Sequence, residues 1–280
     1  MGAIMPADLA SARRSPAGIA PLRAERQGPI LVLTLDRPAA RNSLSEAMIA
    51  ALHREVHAAA ETRDIRAIVL TGNGPAFCAG HDMKEMTARR TDADGGQAYF
   101  RDLMGCCSQM MQAIVRSPKP VIAAVQATAT AAGCQLVASC DLAVASSAAK
   151  FATPGVNIGL FCSTPMVALS RNVPRKRAME MLLLGELMTA EQAADWGLVN
   201  RVVAPDRVLA EAMAMAELIA SKSPATIAIG KRAFYDQLEL RLSDAYAHAS
   251  EVMVENMLYR DAAEGIGAFI DKRKPEWKGC

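Results

Sequence analysis

The segment from residue 121 to residue 145 constrains the fold more than any other part of this sequence. Residues 121–125 form a short apolar run typical of a buried strand, residues 134–139 predict a short helix, and residues 142–145 predict a second strand. A strand, a loop, a helix and a strand in this order form a crossover unit, which requires a parallel sheet with a right-handed connection. The fold class is therefore α/β, and we expect function in the loops beyond the strand ends.

The rest of the chain extends this pattern. A capping box, Ser43-Leu-Ser-Glu46, opens a helix that runs to about residue 60, and the small residues at 128–133 predict a loop. From Pro174 onward the sequence is nearly all helical in its spacing. The further predicted elements are strands at residues 30–35 and 66–70, helices at residues 97–117, 174–184 and 189–197, and three helices between residues 205 and 274. We divide the chain into a flexible N-terminal tail at residues 1–25, a core at residues 26–203 and a C-terminal helical subdomain at residues 204–280.

Composition excludes several classes of function. Hydrophobic residues make up 51% of the 280 residues and charged residues 21%, which is the mixture of a folded globular protein. The net charge of +2 and the 4% of aromatic residues do not provide the basic, aromatic surface that nucleic-acid binding requires. No apolar run reaches the roughly 18 residues that span a bilayer. We therefore expect neither a nucleic-acid partner nor a membrane partner.

The cysteines and the N-terminus predict the compartment. None of the seven cysteines forms a C-x-x-C pair, and most lie among apolar residues, as reduced and buried thiols do. We expect no metal site, and we interpret His53 and His57 as a solvated helix face. Residues 1–20 lack the apolar stretch of a secretion signal. Arg13, Arg14 and scattered Ser and Ala suggest an organelle transit peptide, but a disordered tail is favoured. These features favour the cytoplasm, or the mitochondrial matrix if the organism is eukaryotic.

Two loops carry the chemistry that the sequence suggests. Residues 72–77 begin like a dinucleotide-binding G-x-G-x-x-G but end in Phe77, and no P-loop motif occurs, so neither phosphate site is supported. Residues 77–82 and 128–133 are instead built from small residues at junctions between strand and helix. There, backbone N–H groups can point outward and form an oxyanion hole. Tight packing of small residues is the alternative explanation.

A series of motifs in this order resembles the crotonase superfamily, the enoyl-CoA hydratase/isomerase family, over residues 26–275. Segments 131–141 and 151–165 resemble one subgroup of that family in particular. The motifs are Arg37-Pro-x-x-Arg-Asn42, Ala67-Ile-Val-Leu-Thr-Gly72, Phe77-Cys-Ala-Gly-His-Asp-Met-Lys-Glu85, Lys119-Pro-Val-Ile-Ala-Ala-Val125, Ala132-Gly-Cys-Gln-Leu136, Cys140-Asp-Leu142, Ala193-x-x-x-Gly-Leu-Val-Asn200 and Glu264-Gly-Ile-x-Ala-Phe269.

The resemblance implies a spiral of ββα units, a C-terminal helical subdomain that forms a homotrimer or a hexamer made of two trimers, and an acyl-CoA or enoyl-CoA ligand. CoA is then part of the substrate, so no separate cofactor is expected. The thioester carbonyl would lie between the N–H groups of His81 and Ala132. The implied CoA contacts are Ala39, Arg41, Ala79, His81, Asp82, Met83 and Lys84, with Phe269 and Lys272 reaching the CoA of a neighbouring subunit.

The two catalytic glutamates of the family's hydratases are replaced in this chain. Their positions correspond to Gln135 and Gly155, and a carboxylate of the family's dienoyl-CoA isomerases corresponds to Ser163. A glutamine does not accept a proton near neutral pH and a glycine has no side chain. Ordinary hydration is therefore expected to be weak, and restoring glutamate at both positions is expected to raise it.

Three functions remain open at this stage. The chain is an enzyme acting on an acyl-CoA through the oxyanion hole, a non-catalytic acyl-CoA-binding pseudoenzyme, or a peptidase of the Clp type. We place the peptidase last because no G-x-S-x-G occurs. Cys162 is either a nucleophile or part of the pocket lining. We expect Asp141 to be structural, and Asp82 and Glu85 to stabilise their loop and the start of a helix.

Overall fold

A computed structural model describes residues 20–280, in which strands and helices alternate before a helical C-terminal part. The strands are β1 Leu22–Gln27, β2 Ile30–Leu35, β3 Ala67–Gly72, β4 Ala76–Cys78, β5 Val121–Val125, β6 Thr128–Thr130, β7 Leu142–Ser146, β8 Lys150–Ala152, β9 Met188–Thr189 and β10 Arg201–Val203. The helices are α1 Glu46–Glu61, α2 Met83–Ala88, α3 Gln97–Arg116, α4 Ala132–Ser139, α5 Pro165–Leu169, α6 Arg175–Leu184, α7 Ala190–Asp195, α8 Val208–Ala220, α9 Pro224–Gln237, α10 Leu242–Met257 and α11 Arg260–Ile270.

The strands divide between two sheets. One has the order β1-β2-β3-β5-β7-β10, and the other has the order β4-β6-β8-β9. Successive strands alternate between the sheets, since β3, β5 and β7 lie in the first and β4, β6 and β8 follow them in the second. All pairings among these six strands are parallel. The predicted α/β crossover and the spiral of ββα units are therefore confirmed.

The central strands are apolar throughout because helices cover both faces of the larger sheet. One face packs against α1 and α3 in a core that includes Leu33, Ile68 and Met110. The other face packs against α8, through Val208, Ala212 and Ala216. The sequence predicted that the core ends at residue 203. That boundary assigns α8 to the helical subdomain, although α8 packs on the sheet of the core.

The N-terminal boundary also differs from the prediction. The predicted tail at residues 1–25 lies largely outside the described residues, but its last four residues belong to β1, which pairs antiparallel with β2 along its full length. Only Leu22 of this strand is buried. A polar edge strand gives no apolar signal in the sequence, so the hairpin turn at Gly28, with φ +58°, was the available clue.

Two further predictions were incomplete. The segment expected to be a loop at residues 128–133 contains β6, whose pairing with β4 and β8 depends on residues distant in sequence. After Pro205 the sequence predicted three helices, whereas the structure has α8 to α11. Within residues 20–280, no helix is both long enough and apolar enough to cross a membrane.

A buried ion pair joins the C-terminal helices to the core. The Lys231 Nζ atom, on α9, lies 2.7 Å from the Asp141 carboxylate and also donates to the carbonyls of Ile114 and Lys119. Asp141 further accepts from the Val121 N–H and the Tyr235 hydroxyl. Burial raises the pKa of Asp141, although Lys231 and these hydrogen bonds oppose the rise. The structural role predicted for Asp141 is supported by these contacts.

Removal of the buried ammonium is expected to destabilise the protein. Lys231→Met leaves the Asp141 carboxylate buried without its counter-charge, so we expect urea denaturation at pH 8 to give a loss of about 3 kcal/mol. The loss should shrink as the pH falls, because protonation of Asp141 removes the uncompensated charge. Lys222→Met, at an exposed lysine, is the control and should change stability little. Equal stability of both variants would contradict this role.

Candidate active site

The loops after β4, β6 and β8 come together at one edge of the smaller sheet. These strands are neighbours and run parallel, with Ala76 opposite Thr128 and Ala129 opposite Phe151. The carboxyl ends of parallel strands lie at the same edge, so residues 79–82, 131–135 and 153–155 converge there. These are the segments in which the sequence placed the oxyanion hole and the two glutamate positions.

Glycines allow two of these loops to touch. A Cβ atom at Gly133 would lie 2.1 Å from the Cys78 carbonyl oxygen, and one at Gly80 would lie 2.9 Å from the Ala131 Cβ and 3.3 Å from the Ala132 nitrogen. At neither glycine is a larger residue compatible with these distances unless the backbone moves. The missing side chains therefore set the separation between the His81 loop and the start of α4.

The N–H group of His81 faces away from its neighbouring segment. His81 forms a parallel β-bridge with Leu44, in which the Leu44 N–H donates to the Gly80 carbonyl at 2.7 Å and the Asp82 N–H donates to the Leu44 carbonyl at 3.1 Å. In extended backbone, successive N–H groups point to opposite sides. The His81 N–H is therefore directed to the side opposite Leu44.

The second predicted donor opens a helix. Ala132 is the first residue of α4, so its N–H has no acceptor within the helix. The preceding Ala131 has φ 50° and ψ −120°, a backbone conformation rare for any residue but glycine. The Ala131 N–H donates to the Ala152 carbonyl at 2.9 Å, which fixes this turn against β8. The predicted pair of backbone donors is thus placed on two loops in contact.

Asp82 is held by the side chains of Arg37 and Ser43, two contacts that the sequence did not predict. Its carboxylate accepts from the Arg37 guanidinium at 3.0 Å, from the Ser43 hydroxyl at 3.1 Å and from the Lys84 N–H, which caps α2. Burial opposes ionisation of Asp82, but the hydrogen bonds from Arg37 and Ser43 lower its pKa below the ordinary value. Asp82 therefore stabilises the loop, as predicted.

Asn42, the last residue of the Arg37-Pro-x-x-Arg-Asn42 motif, has a structural role. Its side-chain amide donates to the Asn73 and Ala76 carbonyls, both at 2.8 Å, and its oxygen accepts from the Arg37 N–H. Asn42 has φ 53°, a left-handed conformation that asparagine tolerates well. The motif therefore positions the turn before β4. In the sequence, this role of Asn42 could have been inferred only from the Arg-Asn dipeptide near a predicted turn.

The segments implied to bind CoA are neighbours. The Arg41 carbonyl accepts from the Ala79 N–H at 3.0 Å, so Ala39 and Arg41 lie beside the loop that carries Met83 and Lys84. These four side chains are all exposed. Their role in CoA binding stays a prediction.

The residues implied to reach a neighbour's CoA lie at the end of α11. Phe269 is 85% exposed, and Lys272, also exposed, follows the helix with φ 54°. An aromatic side chain this exposed is typical of a residue that contacts another molecule. Their contact with a neighbouring subunit's ligand also stays a prediction.

Neither position at which the resemblance implies a glutamate holds an acid or a base. Gln135 is buried, 6% exposed, and its Oε1 atom has no hydrogen-bond partner within the described residues. At Gly155 a Cβ atom would lie 2.7 Å from the Leu160 carbonyl oxygen and 2.9 Å from the Cys162 Sγ. The loop from Gly155 to Cys162 therefore fills the space in which a longer side chain would begin.

Cys162 is not set up as a nucleophile. Burial raises the pKa of its thiol, and the Gly155 N–H only partly opposes the rise, so the sulfur stays protonated at neutral pH. Ser163 is exposed and donates to the Phe161 carbonyl. Burial lowers the pKa of His81, so its imidazole is neutral. Of the two interpretations of Cys162, these features favour the pocket lining.

Glu85 stabilises the start of a helix, but the helix is α1 and not its own. Its carboxylate accepts from the Glu46 N–H of α1 at 2.9 Å, whereas Asp82 caps α2. Burial raises the pKa of Glu85 above its ordinary value. The His81 loop is thereby joined to the first helix of the core.

His53 and His57 lie outside these loops. They line a groove of about 460 Å³ between α1 and α3, and His53 is half-buried there, so the solvated helix face predicted for the pair holds only for His57. Among residues 20–280, no three His, Cys, Asp or Glu side chains are grouped closely enough to hold a metal ion.

Comparison with known proteins identifies the class. The chain matches the family model described as enoyl-CoA hydratase/isomerase over residues 25–280. It is 51% identical to a crystal structure of an enoyl-CoA hydratase from Mycobacterium smegmatis, with a TM-score of 0.87 over 92% of this chain and 98% of the other. The chain belongs to the enoyl-CoA hydratase/isomerase family and has the crotonase fold.

Within the family the similarity is to one subgroup. The mitochondrial enoyl-CoA hydratase domain-containing protein 3 of Mus musculus is 48% identical over 252 residues, which cover 90% of this chain and 82% of the relative. The crystal structure of the human protein of that name has a TM-score of 0.87 at 46% identity, over 92% of this chain and all of the other. This is the subgroup that segments 131–141 and 151–165 resemble.

The strained turn before α4 gives a stability prediction. Ala131→Gly removes a Cβ from a glycine-type conformation, so we expect about 1 kcal/mol of stabilisation after the added entropy of the unfolded chain is subtracted. Ala138→Gly, inside α4, is the matched control and should destabilise by about 1 kcal/mol. Chemical denaturation measures both. If Ala131→Gly destabilises as much as the control, the turn is not strained.

Proposed function

We propose that this protein binds an acyl-CoA or enoyl-CoA thioester and holds the thioester carbonyl between the N–H groups of His81 and Ala132. The observation that carries this proposal is the pair of outward N–H groups on two loops in contact, one of them at the start of α4. Membership of the enoyl-CoA hydratase/isomerase family supports it. CoA is part of the ligand, and no separate cofactor is proposed.

The two donors would stabilise negative charge on the thioester oxygen. Removal of one such donor typically costs about 3 to 4 kcal/mol of transition-state stabilisation, and the N-terminal dipole of α4 adds positive potential. The species that the two donors stabilise is an enolate, in which negative charge from the carbon next to the thioester is shared with the thioester oxygen. Because the donors belong to the backbone, the His81 and Ala132 side chains do not supply it.

Ordinary hydration of an enoyl-CoA is expected to be weak. Gln135 cannot exchange a proton near neutral pH, and Gly155 has no side chain, so no acid and base flank the acyl group. The alternative is a pseudoenzyme that binds acyl-CoA without turnover, which the same absence of carboxylates favours. A Clp-type peptidase is disfavoured because Ser163 is exposed and Cys162 stays protonated.

The apolar surface of the C-terminal helices supports assembly. Large side chains such as Phe234, Leu242, Tyr246 and Leu258 are exposed on α9 and α10 and after α10, and Leu258 is 82% exposed. Many large apolar side chains exposed on neighbouring helices mark an interface, and closed symmetric oligomers are the common solution. The proposed assembly is a homotrimer or a hexamer made of two trimers. The proposed location is the cytoplasm or, in a eukaryote, the mitochondrial matrix; the similar animal proteins are named as mitochondrial.

Sedimentation velocity tests the assembly. The full chain at micromolar concentration should sediment as a trimer or a hexamer, and Leu258→Glu should shift it toward smaller species, because a buried, unpaired carboxylate opposes association. A single species near the 29.8 kDa of one chain would contradict the proposal.

Binding of the thioester tests the proposed function directly. Calorimetry with acetyl-CoA should give a dissociation constant in the micromolar range, about −8 kcal/mol, and hydrogen exchange should slow in the peptide containing His81. Lys84→Ala should weaken binding if the exposed ammonium contacts the CoA phosphates. The absence of heat, together with unchanged exchange around His81, would contradict the proposal.

Restoration of a carboxylate tests the catalytic consequence. Gln135→Glu is expected to raise crotonyl-CoA hydration about 100-fold, because one acid/base group contributes about 10²- to 10⁴-fold. Gln135→Met, which adds no carboxylate, is the control and should not raise the rate. If the wild-type protein already hydrates crotonyl-CoA as fast as ordinary members of the family, Gln135 and Gly155 are not lost catalytic positions.

The second substitution predicted from the sequence, Gly155→Glu, is opposed by the packing around residue 155. A side chain at residue 155 would collide with the Leu160 carbonyl oxygen and the Cys162 sulfur. Gly155→Glu would therefore require the loop to move as well as bury a carboxylate, at a cost in stability. The single variant at Gln135 is for this reason the better test, with the melting temperature measured beside the rate.

A further inference from the structure

The groove between α1 and α3 is lined by polar side chains that the proposed function does not use. They include His53, His57 and Glu61 from α1 and Gln109 and Gln112 from α3, around a cavity of about 460 Å³. Residues four apart on a helix share one face, so the side chains from α1 form a single row along one wall. The two glutamines, also close together on one face of their helix, line the other wall.

This groove is separate from the candidate active site. The loop of that site contacts the first residue of α1, where the Glu46 N–H donates to Glu85. His57 lies about 16 Å further along the same helix, since each helical residue adds about 1.5 Å. A small ligand bound beside His57 would therefore not contact the proposed thioester site.

The rings of His53 and His57 are placed as two ligands of one ion would be. Their centroids are 4.9 Å apart and their planes are inclined at 67°. An ion about 2.1 Å from one nitrogen of each ring lies about 3.2 Å from each centroid, so angles of about 90° to 109° at the ion place the centroids about 4.5 to 5.2 Å apart. The ion must also lie in both ring planes, where the nitrogen lone pairs are, and inclined planes intersect whereas those of stacked rings do not. The spacing and the inclination both fit a chelate.

The available ligands select the class of ion. Imidazole is mostly neutral at pH 7.5, and its nitrogen suits Zn²⁺, Cu²⁺ and Ni²⁺, whereas Mg²⁺ and Ca²⁺ require oxygen ligands. Within residues 20–280, no third His, Cys, Asp or Glu side chain is close enough to complete a set with the pair. The remaining positions fall to water or to the amide oxygens of Gln109 and Gln112. The charged residues of the groove, Glu61 and Arg116, have opposite signs, so binding depends on coordination rather than on net charge.

We propose that His53 and His57 form a bidentate site for one divalent transition-metal ion of the zinc type, in the groove between α1 and α3. From the sequence we expected no metal site and a solvated helix face, and the geometry of the two rings is the observation that points to a ligand. The chelate exists only while residues 53–57 are helical, so the ion stabilises this part of α1. The proposal is independent of thioester binding, because no residue of the candidate active site takes part.

Calorimetry with zinc chloride tests the site. The full chain carries Cys280→Ser in every sample, because an exposed thiol such as that of Cys280 also binds zinc. One zinc ion per chain should bind at pH 7.5 with a dissociation constant of roughly 10 to 100 micromolar, since two histidines bind zinc less tightly than a complete set of four ligands. Magnesium chloride should give no binding heat. The absence of zinc binding up to about 1 mM, or equal binding of both metals, would overturn the inference.

A shift of one histidine provides the matched control. His57→Ala should weaken zinc binding at least about 10-fold, because the remaining imidazole binds without the chelate. His57→Ala combined with Ala58→His restores the number of histidines but turns the second imidazole about 100° around α1, so it should bind zinc as weakly as His57→Ala. Ala58 is exposed, so the fold should tolerate this change. Undiminished zinc affinity in either variant would overturn the assignment.

Hydrogen exchange locates the ion on the chain without any substitution in the pair. Zinc well above its dissociation constant should slow exchange in the peptide covering residues 53–61 and leave the peptide containing His81 unchanged. Protection of another segment, with residues 53–61 unchanged, would place the ion elsewhere and overturn the inference. None of these results bears on the proposed function, which is tested with acetyl-CoA.

Discussion

The close approach of the loop after β4 to the start of α4 is the constraint on which the candidate site depends. At Gly133 a Cβ would lie 2.1 Å from the Cys78 carbonyl, and at Gly80 one would meet Ala131 and Ala132. Because both glycines lack that atom, the His81 and Ala132 N–H groups lie on loops in contact. The strained φ of Ala131 has the same origin, since the turn must redirect the chain into α4 while its N–H stays bonded to β8.

The contacts around this point fix it to the rest of the molecule. Arg37, Ser43 and Asn42 hold the loop from the first turn of the spiral, and Glu85 links it to α1. On the far side of the sheet, α8 completes the core. After the end of α4, Asp141 bonds to Lys231 of α9. Backbone donors supported in this way need no particular side chain, so the neighbouring positions are free to differ from those of other family members.

Much of the fold followed from the sequence, because its apolar strands and capped helices are local signals. The β5–α4–β7 crossover and the C-terminal helices were predicted from such signals and are present. The capping box predicted at Ser43 is wrong, because Ser45 is the N-cap of α1 and accepts from the Met48 N–H, while the Ser43 hydroxyl donates to Asp82. The short strands β4, β6, β8 and β9 were not predicted. Strands of two or three residues carry too few side chains for a periodic pattern, and they form only because distant segments pair with them. The boundary at residue 203 misplaced α8 for the same reason, since its partner is the sheet.

For the site, the sequence by itself determined the residue types: two small-residue loops, a glutamine and a glycine at the positions where the family resemblance implies glutamates, and the family to which the chain belongs. Only the tertiary structure decided which atoms are available. It directs the His81 N–H away from Leu44, engages the Asp82 carboxylate with Arg37, fills the space beside Gly155 with Cys162 and leaves the Gln135 and Thr153 oxygens unpaired. The physical reason is that hydrogen-bond satisfaction and steric room depend on contacts between segments far apart in sequence, which no local pattern encodes.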